Sequence, residues 1–321
     1  MSRRDLSTVA LPPALRTALL RAGYETIEDV NSCTQEALAK DLDIPIELTQ
    51  TILSATQRPK AAPSSTQSAA ALVQDSSVKY SSSCRPLDKL LNGGLKRGCV
   101  LEISGPPGTA KESIAINFAA SFTKNHQRVV FVDMQNMTNP DKLRHALKEK
   151  SPLPANTQQE IKYVKIHTLP ELMMFLTQLP SYSKTNPSTA LLVLNSISFP
   201  FQSLTGLPNA SRNAIFAQVK DALTKACATS GLTVIITTQM STKLLTADGS
   251  PANFDTGSRA IMVPQPGPAY LPNGRTYRII LVPHTRTSGV MRLLSSPAHV
   301  QGNDRQSLGE EPYDMIAGVI Q

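Results

Sequence analysis

The stretch Val100-Leu-Glu-Ile-Ser-Gly105-Pro-Pro-Gly-Thr-Ala-Lys111-Glu112 joins an apolar run of strand length to a glycine-containing turn and then to a helical pattern. The turn approximates G-x-x-x-x-G-K-[S/T]. In that pattern, backbone N–H groups and a helix N-terminus surround phosphate oxygens, and a lysine reaches the outer phosphates. We therefore predict a nucleotide-binding loop made by consecutive residues: Gly105, Pro106, Pro107, Gly108, Thr109, Ala110, Lys111, Glu112 and Ser113.

Two residues of this loop depart from the pattern. Ala110 replaces the last glycine and adds a methyl group where the backbone is tight, and Glu112 replaces the hydroxyl residue that holds Mg²⁺. Two alternatives stay open at this point. Either Glu112 ligates Mg²⁺ directly, or Ser113 offers a hydroxyl from the next position.

Length and composition exclude several classes of protein. The 321 residues are 40% hydrophobic and 17% charged, which is enough for one large core with a small companion domain and too apolar for a disordered chain. No apolar run approaches the roughly 20 residues of a membrane span, and Met-Ser-Arg-Arg-Asp5 leads into no apolar segment, so we expect neither membrane insertion nor secretion. The four cysteines form no C-x-x-C pair, and we predict reduced thiols and no metal site: Cys33, Cys84, Cys99 and Cys227.

Apolar runs alternate with amphipathic stretches from residue 85 onward, which predicts a mainly parallel sheet with helices on both faces. We expect strands at Val100–Ser104, Arg128–Asp133, Lys162–His167, Ala190–Leu194 and Leu232–Thr237. We expect helices at Lys111–Thr123, Pro140–Lys148, Leu169–Leu179 and Asn213–Ser230. Three further strands joined by short turns predict an antiparallel end to this α/β sheet: Arg275–Val282, Gly289–Leu294 and Met315–Ile320.

The chain divides by pattern into three parts. Residues 1–57 predict a small all-α domain, with Leu15, Leu19 and Leu20 on one helix face and Thr26 capping another helix. Such a domain binds duplex backbone or holds a partner protein, and the sequence favours neither. Residues 58–83 are rich in Pro, Ser, Ala and Gln and predict a flexible linker, and residues 84–321 form the core. The linker's short apolar piece, Ala69–Val73, is a tether or a chance run.

Positive charge is concentrated in the larger part of the chain. The net charge is +8, of which residues 1–60 contribute −1 and the remainder +9. The segment Thr256–Asn303 holds five arginines and no acidic residue. Such a segment suits a polyanion such as nucleic acid, and the alternative is a set of solvated surface arginines.

Several motifs resemble those of one superfamily. The run Leu87-Asp-Lys-Leu-Leu-Asn-Gly-Gly-Leu95, with Gly98 and Glu102, precedes the loop as it does in the RecA/RadA recombinases. The resemblance covers nearly the whole chain. Shorter motifs are most similar to the C-type branch of the eukaryotic recombinase paralogues: Arg4-Asp-Leu, Gly23-Tyr24, Glu28-Asp-Val30, Ile197-Ser-Phe-Pro-Phe201 and Gln239-Met-Ser-Thr-Lys243.

The resemblance implies a RecA-like ATPase core and a nuclear protein of homologous recombination that repairs double-strand breaks. Its partners would be other recombinase paralogues, the main recombinase, and single-stranded or branched DNA. Two DNA loops would map to Gln202–Arg212 and Lys243–Tyr270, with phosphate contacts from Arg212, Lys243 and Arg259. The partner-binding segment of the linker would be Ala70, Ala71, Leu72 and Val73.

Residues at the reacting end of the site differ from those of an active ATPase. Asn195 stands where an aspartate organises Mg²⁺, and Gln135 stands where the superfamily has its general-base glutamate. Gln239 ends the next strand within reach of a γ-phosphate. We therefore expect a degenerate site in which ATP is a structural ligand, Mg²⁺ is doubtful and hydrolysis is weak or absent. The alternative is an active DNA-dependent ATPase that uses Glu112 as an unusual Mg²⁺ ligand.

Overall fold

The computed structural model of the chain describes residues 11–56, 78–136, 138–150, 161–248, 250, 252–253, 255–297, 308–316 and 319–320. The chain divides into two compact units, Met1–Ala69 and Ala70–Gln321. The segment Ala70–Val73, for which we predict partner binding, lies outside the described residues. No helix in the described part of the chain is both long and apolar enough to span a bilayer.

Four helices make up the described part of the first unit: α1 Pro13–Arg21, α2 Ile27–Asn31, α3 Gln35–Leu42 and α4 Ile46–Thr56. The α2 helix begins with a reciprocal capping box, in which Thr26 Oγ1 accepts from Asp29 N at 3.3 Å and the Asp29 carboxylate accepts from Thr26 N at 2.9 Å. Thr34 Oγ1 caps α3 by accepting from Ala37 N at 3.3 Å. These side chains satisfy N–H groups that a helix start leaves without partners.

Buried apolar side chains from these helices form one small core: Leu11, Leu19, Ile27, Val30, Leu38, Leu42 and Ile52. The prediction that Leu20 shares the buried face of Leu15 and Leu19 is wrong. Leu19 is fully buried and Leu15 packs against the core, whereas Leu20 is 54% exposed. Consecutive residues lie about 100° apart around a helix, so Leu20 rotates away from the face that Leu15 and Leu19 share.

The described residues of the second unit form six helices: α5 Arg85–Leu90, α6 Lys111–Lys124, α7 Pro140–Lys150, α8 Leu169–Thr185, α9 Ser198–Phe201 and α10 Asn209–Ser230. Its short strands β1 Lys79–Tyr80 and β2 Leu95–Lys96 pair with each other. Its large sheet contains β3 Val100–Ser104, β4 Arg128–Asp133, β5 Ile161–Lys165, β6 Thr189–Asn195, β7 Thr233–Leu245, β8 Arg259–Gln265, β9 Thr276–Pro283, β10 Ser288–Ser295, β11 Glu310–Ile316 and β12 Val319–Ile320. Two 3₁₀ turns follow α9 and β8: Gln202–Gly206 and Pro268–Tyr270.

The strand order of the large sheet is β12-β11-β10-β9-β3-β7-β6-β4-β5, with β8 paired to β7. Neighbours from β9 through β5 are parallel, and β10, β11 and β12 add antiparallel pairings. This confirms the predicted α/β fold with a mainly parallel sheet and an antiparallel C-terminal end. The strand β9 is the point of reversal, since it is parallel to β3 and antiparallel to β10.

Apolar side chains cover both faces of the parallel strands. Leu101 and Ile103 of β3 join one core cluster with Phe118 of α6, whereas Val100 joins a second cluster with Leu172 of α8. Successive strand residues point to opposite faces, so burial on both faces requires the nearly continuous apolar runs seen in the sequence. The helices therefore lie on both sides of the sheet.

The prediction of a loop over Lys243–Tyr270 is wrong in its first part. The strand β7 continues beyond Thr237 as far as Leu245 and pairs antiparallel with β8. At one end of this pairing Gln239 lies opposite Gln265, and at the other end Leu245 lies opposite Arg259. Two strands thus extend from the sheet as a ribbon. A two-stranded ribbon buries little on either side, so its sequence lacks the one-sided apolar alternation that identifies most strands.

The core unit begins before residue 84, the residue at which we predicted it to begin. Lys79 and Tyr80 pair with Lys96 and Leu95, and the Tyr80 ring stacks on Phe122 with centroids 3.7 Å apart. The close approach also requires Gly94, because a Cβ there would lie 2.5 Å from the Tyr80 carbonyl oxygen. These contacts join residues 79–80 to the core.

The buried Glu102 carboxylate joins β3 to β9 through an ion pair and to the 3₁₀ turn after β8 through a hydrogen bond. The Glu102 carboxylate of β3 is fully buried, accepts from Arg278 Nε at 2.6 Å, and accepts from the Tyr270 hydroxyl at 2.8 Å. Burial, together with the neighbouring Glu102 charge, raises the pKa of Tyr270 well above its ordinary value. The carboxylate thus has both a counter-charge and a neutral donor.

We expect Arg278→Ala to lower the free energy of unfolding by about 3–5 kcal/mol, because it leaves the Glu102 charge buried and unpaired. The matched control is Arg292→Ala, since Arg292 Nε bonds Glu310 at 2.7 Å in a pair that is 48% and 40% exposed. That loss should be about 0.2–1 kcal/mol. Urea unfolding measures the free energy of unfolding of both variants. Equal losses would contradict the conclusion that the Glu102 charge is buried and depends on Arg278.

Candidate functional site

The predicted phosphate loop connects β3 to α6 and requires glycine at two positions. Gly108 has φ +82°, in the left-handed region, and a Cβ on Gly105 would lie 2.8 Å from Thr109 Oγ1 and 3.2 Å from Leu281 Cβ. Ala110 needs no such freedom, because its φ of −76° is ordinary for an L-residue. The methyl group that replaces the pattern's last glycine is therefore accommodated without backbone strain.

Lys111 binds the loop that it belongs to. Its Nζ donates to the carbonyl oxygens of Gly105 at 2.7 Å and Pro106 at 2.6 Å, and it lies 3.0 Å from Thr109 Oγ1. Only 6% of the residue is exposed, and burial lowers the pKa of Lys111 from 10.5 to about 8. The lysine is thus an ammonium group held in a poorly solvated position, where an anion would stabilise its charge.

The residues predicted to replace the metal ligands contact one another through Thr138. The Thr138 hydroxyl donates to the Glu112 carboxylate and accepts from Asn195 Nδ2 at 3.3 Å. The Asn195 Oδ1 accepts from Thr237 Oγ1 at 2.6 Å. We call Glu112, Thr138, Asn195 and Thr237 the hydroxyl–amide cluster. It brings together two predicted site residues, Glu112 and Asn195, that are far apart in sequence.

Asp133 fixes the loop that carries Thr138. Its buried carboxylate accepts from the backbone N–H groups of Gln135 and Thr138, both at 3.1 Å, and from the Tyr163 hydroxyl at 3.1 Å. Burial and the Asp133 charge raise the pKa of Tyr163 to about 12. From the sequence, Asp133 is recognisable only as a strand end and Thr138 is not recognisable at all, because no sequence spacing signals which side chain of a loop turns inward.

The other predicted residues lie at the same edge of the sheet or next to it. Gln135 follows β4 and is partly buried, and Ser113 lies in the first turn of α6. Gln239 has a buried Oε1 that meets no hydrogen-bond partner among the residues that the structure describes, and its backbone N–H donates to Ser198 Oγ at 2.8 Å. Ser198 Oγ donates in turn to the Gln265 carbonyl oxygen, which holds the base of the ribbon.

The predicted DNA-contacting residues lie on two elements. Lys243 pairs with Ile261 and Arg259 pairs with Leu245, so both cations lie on one face of the ribbon, and both are exposed. Arg212 lies in the first turn of α10, where its guanidinium donates to Asn209 Oδ1 at 2.7 Å. The ribbon thus joins two cations that the sequence separates by 15 residues.

No group of three or more His, Cys, Asp or Glu side chains in the described residues is arranged to hold a metal ion.

Affinity of the loop for adenosine diphosphate should fall as the pH rises from about 7.5 to about 9.5, because the pKa of Lys111 is about 8 and an anion binds its protonated form. The affinity is fully present below the Lys111 pKa of the free chain. A bound anion stabilises the ammonium and so raises this pKa, and the affinity gained from Lys111 is lost above that raised value. Titration calorimetry of the native chain measures this. Lys111→Arg keeps its charge throughout and should show no such fall, so a parallel fall in that variant would assign the effect to another group.

Comparison with known proteins places the chain in a family. The model for the Rad51 family matches residues 74–301, which is more than half of the chain. The chain is 24% identical to the DNA repair protein RAD51 homolog 3 of Cricetulus griseus over 282 residues, covering 75% of this chain and 76% of that protein. It is 24% identical over 111 residues to the DNA repair and recombination protein RadB of Methanosphaera stadtmanae, covering 35% of this chain and 47% of RadB. It is 30% identical over 102 residues to the DNA repair protein RadA of Helicobacter pylori, covering 31% of this chain and 23% of RadA. The chain therefore belongs to the Rad51 family.

Proposed function

We propose that this chain is a recombinase-paralogue mediator in homologous-recombination repair of double-strand breaks. It works in the nucleus, assembles with other paralogues and the main recombinase, and keeps a nucleotide site with weak or absent hydrolysis. The names of its relatives, which include DNA repair and recombination proteins, support the repair role. The segment Ala70–Val73 is proposed as the tether to a neighbouring subunit.

The observation that carries the proposal is the contrast between the two ends of the nucleotide site. The phosphate loop keeps Gly105, Gly108 and its buried lysine, whereas Glu112 and Asn195 hydrogen-bond through Thr138. Gln135 offers a carboxamide, which cannot take a proton from water at neutral pH. Each substitution removes transition-state stabilisation of a few kcal/mol, or roughly two to three powers of ten in rate. Nucleotide is thus bound and retained instead of consumed.

We expect phosphate release from ATP by the native chain to equal that of Lys111→Ala, although only the native chain binds ATP. Binding follows from the loop and its ammonium, and the absent general base accounts for the lack of turnover. A fluorescent ATP analogue measures binding and a phosphate sensor measures release, on the chain co-purified with a Rad51-family subunit.

Lys111-dependent release more than about tenfold above the Lys111→Ala background would overturn the degenerate site and favour an active DNA-dependent ATPase. Failure to co-purify with any Rad51-family subunit would contradict the mediator role, even if the site proved inactive.

DNA binding is proposed for the cation-bearing face of the ribbon. Lys243 and Arg259 are exposed on that face, and each cation that contacts a phosphate releases condensed counterions on binding. Asp248 and Asp255 lie between them in sequence, and Asp248 is engaged by the Thr246 and Ser250 hydroxyls. The two cations are therefore the part of the ribbon that suits a phosphate backbone.

The double variant Lys243→Ala/Arg259→Ala should weaken binding to single-stranded DNA and reduce the slope of log affinity against log salt by about 1.4, or about 0.7 for each lost contact. The matched control replaces two exposed lysines elsewhere with alanine: Lys124, which ends α6, and Lys184, which lies in the last turn of α8. Fluorescence anisotropy over a salt series measures both. An equal change of slope in the control would mean that only the net charge of the chain matters, and it would contradict the proposal that the ribbon contacts DNA.

A further inference from the structure

We infer that the nucleotide site takes a nucleoside diphosphate without a divalent cation. The inference rests on the proposed nucleotide-binding function and names the ligand class of that site. It depends on the hydroxyl–amide cluster, two of whose members, Glu112 and Asn195, occupy the positions from which the family's pattern would hold Mg²⁺.

The donor set of the cluster does not fit a magnesium ion. Thr138 has one hydroxyl proton, which it gives to the Glu112 carboxylate, so its contact with Asn195 requires an N–H donor from the amide. The amide nitrogen of Asn195 therefore faces Thr138, and its oxygen is used by Thr237 at 2.6 Å. An amide NH₂ is not a ligand for a hard cation, which binds oxygen atoms.

Rearranging the cluster to bind a cation would also cost free energy, because its members are buried and hydrogen-bonded. Thr138 is fully buried, Asn195 is 3% exposed and Thr237 is 1% exposed. The backbone N–H of Thr138 is bound to the buried Asp133 carboxylate at 3.1 Å, which fixes the position from which the hydroxyl acts. Turning Asn195 would set its oxygen against the Thr138 hydroxyl oxygen, whose proton serves Glu112, and would take the acceptor away from the buried Thr237 hydroxyl proton.

The remaining charges favour fewer phosphates. The loop supplies backbone N–H groups and one ammonium, Lys111, and the next residue in the same helical turn is the Glu112 carboxylate. In most phosphate-loop sites a cation neutralises the outer phosphates. Without that cation, a third phosphate adds negative charge beside a carboxylate and gains no counter-charge. A diphosphate keeps the contacts to the loop and to Lys111 and avoids this repulsion.

The experiment is titration calorimetry of the full chain with ADP and with ATP, each in EDTA and in Mg²⁺. We expect ADP to bind in EDTA, and we expect Mg²⁺ to leave the affinity for ADP unchanged or to weaken it. In EDTA, ATP should bind about tenfold more weakly than ADP, a difference in binding free energy of about 1.4 kcal/mol. Glu112→Gln keeps an acceptor for Thr138 and removes the charge, so it should narrow the difference between ADP and ATP. Lys111→Ala should abolish binding of both.

The outcomes separate this inference from the proposed nucleotide site. Lys111-dependent binding that Mg²⁺ strengthens by more than about tenfold, or ATP that binds more tightly than ADP in EDTA, overturns the inference and leaves the nucleotide site standing. Absence of binding for both nucleotides in both buffers, in a chain whose thermal unfolding shows a single cooperative transition, overturns the nucleotide site and the inference together. An unchanged preference for ADP in Glu112→Gln overturns the electrostatic reason for it.

Discussion

Burial of the parallel strands on both faces is the constraint from which the site follows. All seven residues of β6 and all five of β3 are buried, so most of their side chains are apolar. Polar residues cluster at the carboxyl ends of the parallel strands: Ser104, Asp133, Asn195, Thr237 and Thr238. Because parallel strands end at one edge of the sheet, these polar groups meet beside the phosphate loop, as ligand sites do in open α/β sheets.

Groups that are polar and buried at this edge must find partners in each other. Asp133 accepts two backbone N–H groups and the Tyr163 hydroxyl, and Thr238 donates to Ser104 across the pairing of β3 and β7. An unpaired buried donor or acceptor would cost about 1–3 kcal/mol. The bonds run from Asp133 through Thr138 to Glu112, Asn195 and Thr237, so a substitution in this network changes the bonds available to its neighbours.

The sequence predicts the fold well because two-sided burial leaves strong patterns. The strands β3 and β4 and the start of α6 agree with prediction, since apolar runs and the glycine loop identify them directly. The ribbon is missed, because Thr242 and Lys243 are exposed, the residues on either side of them are only half-buried, and the segment carries no alternating apolar face. The hydroxyl–amide cluster is missed for another reason. It depends on Thr138, whose place is set by hydrogen bonds to a carboxylate five residues earlier, and side-chain direction in a loop leaves no periodic signal.

Glu112 and Asn195 are best understood as a coupled pair. An aspartate at position 195 would place a second carboxylate against the Thr138 hydroxyl, whose single proton already serves Glu112. Two carboxylates sharing one proton donor in a buried site repel each other unless a cation lies between them. Asparagine has nearly the same shape and supplies the N–H that the hydroxyl oxygen accepts. Glu112 and Asn195 therefore fit each other through Thr138, whereas Lys111 stands apart from both because its contacts are made to the backbone of its own loop.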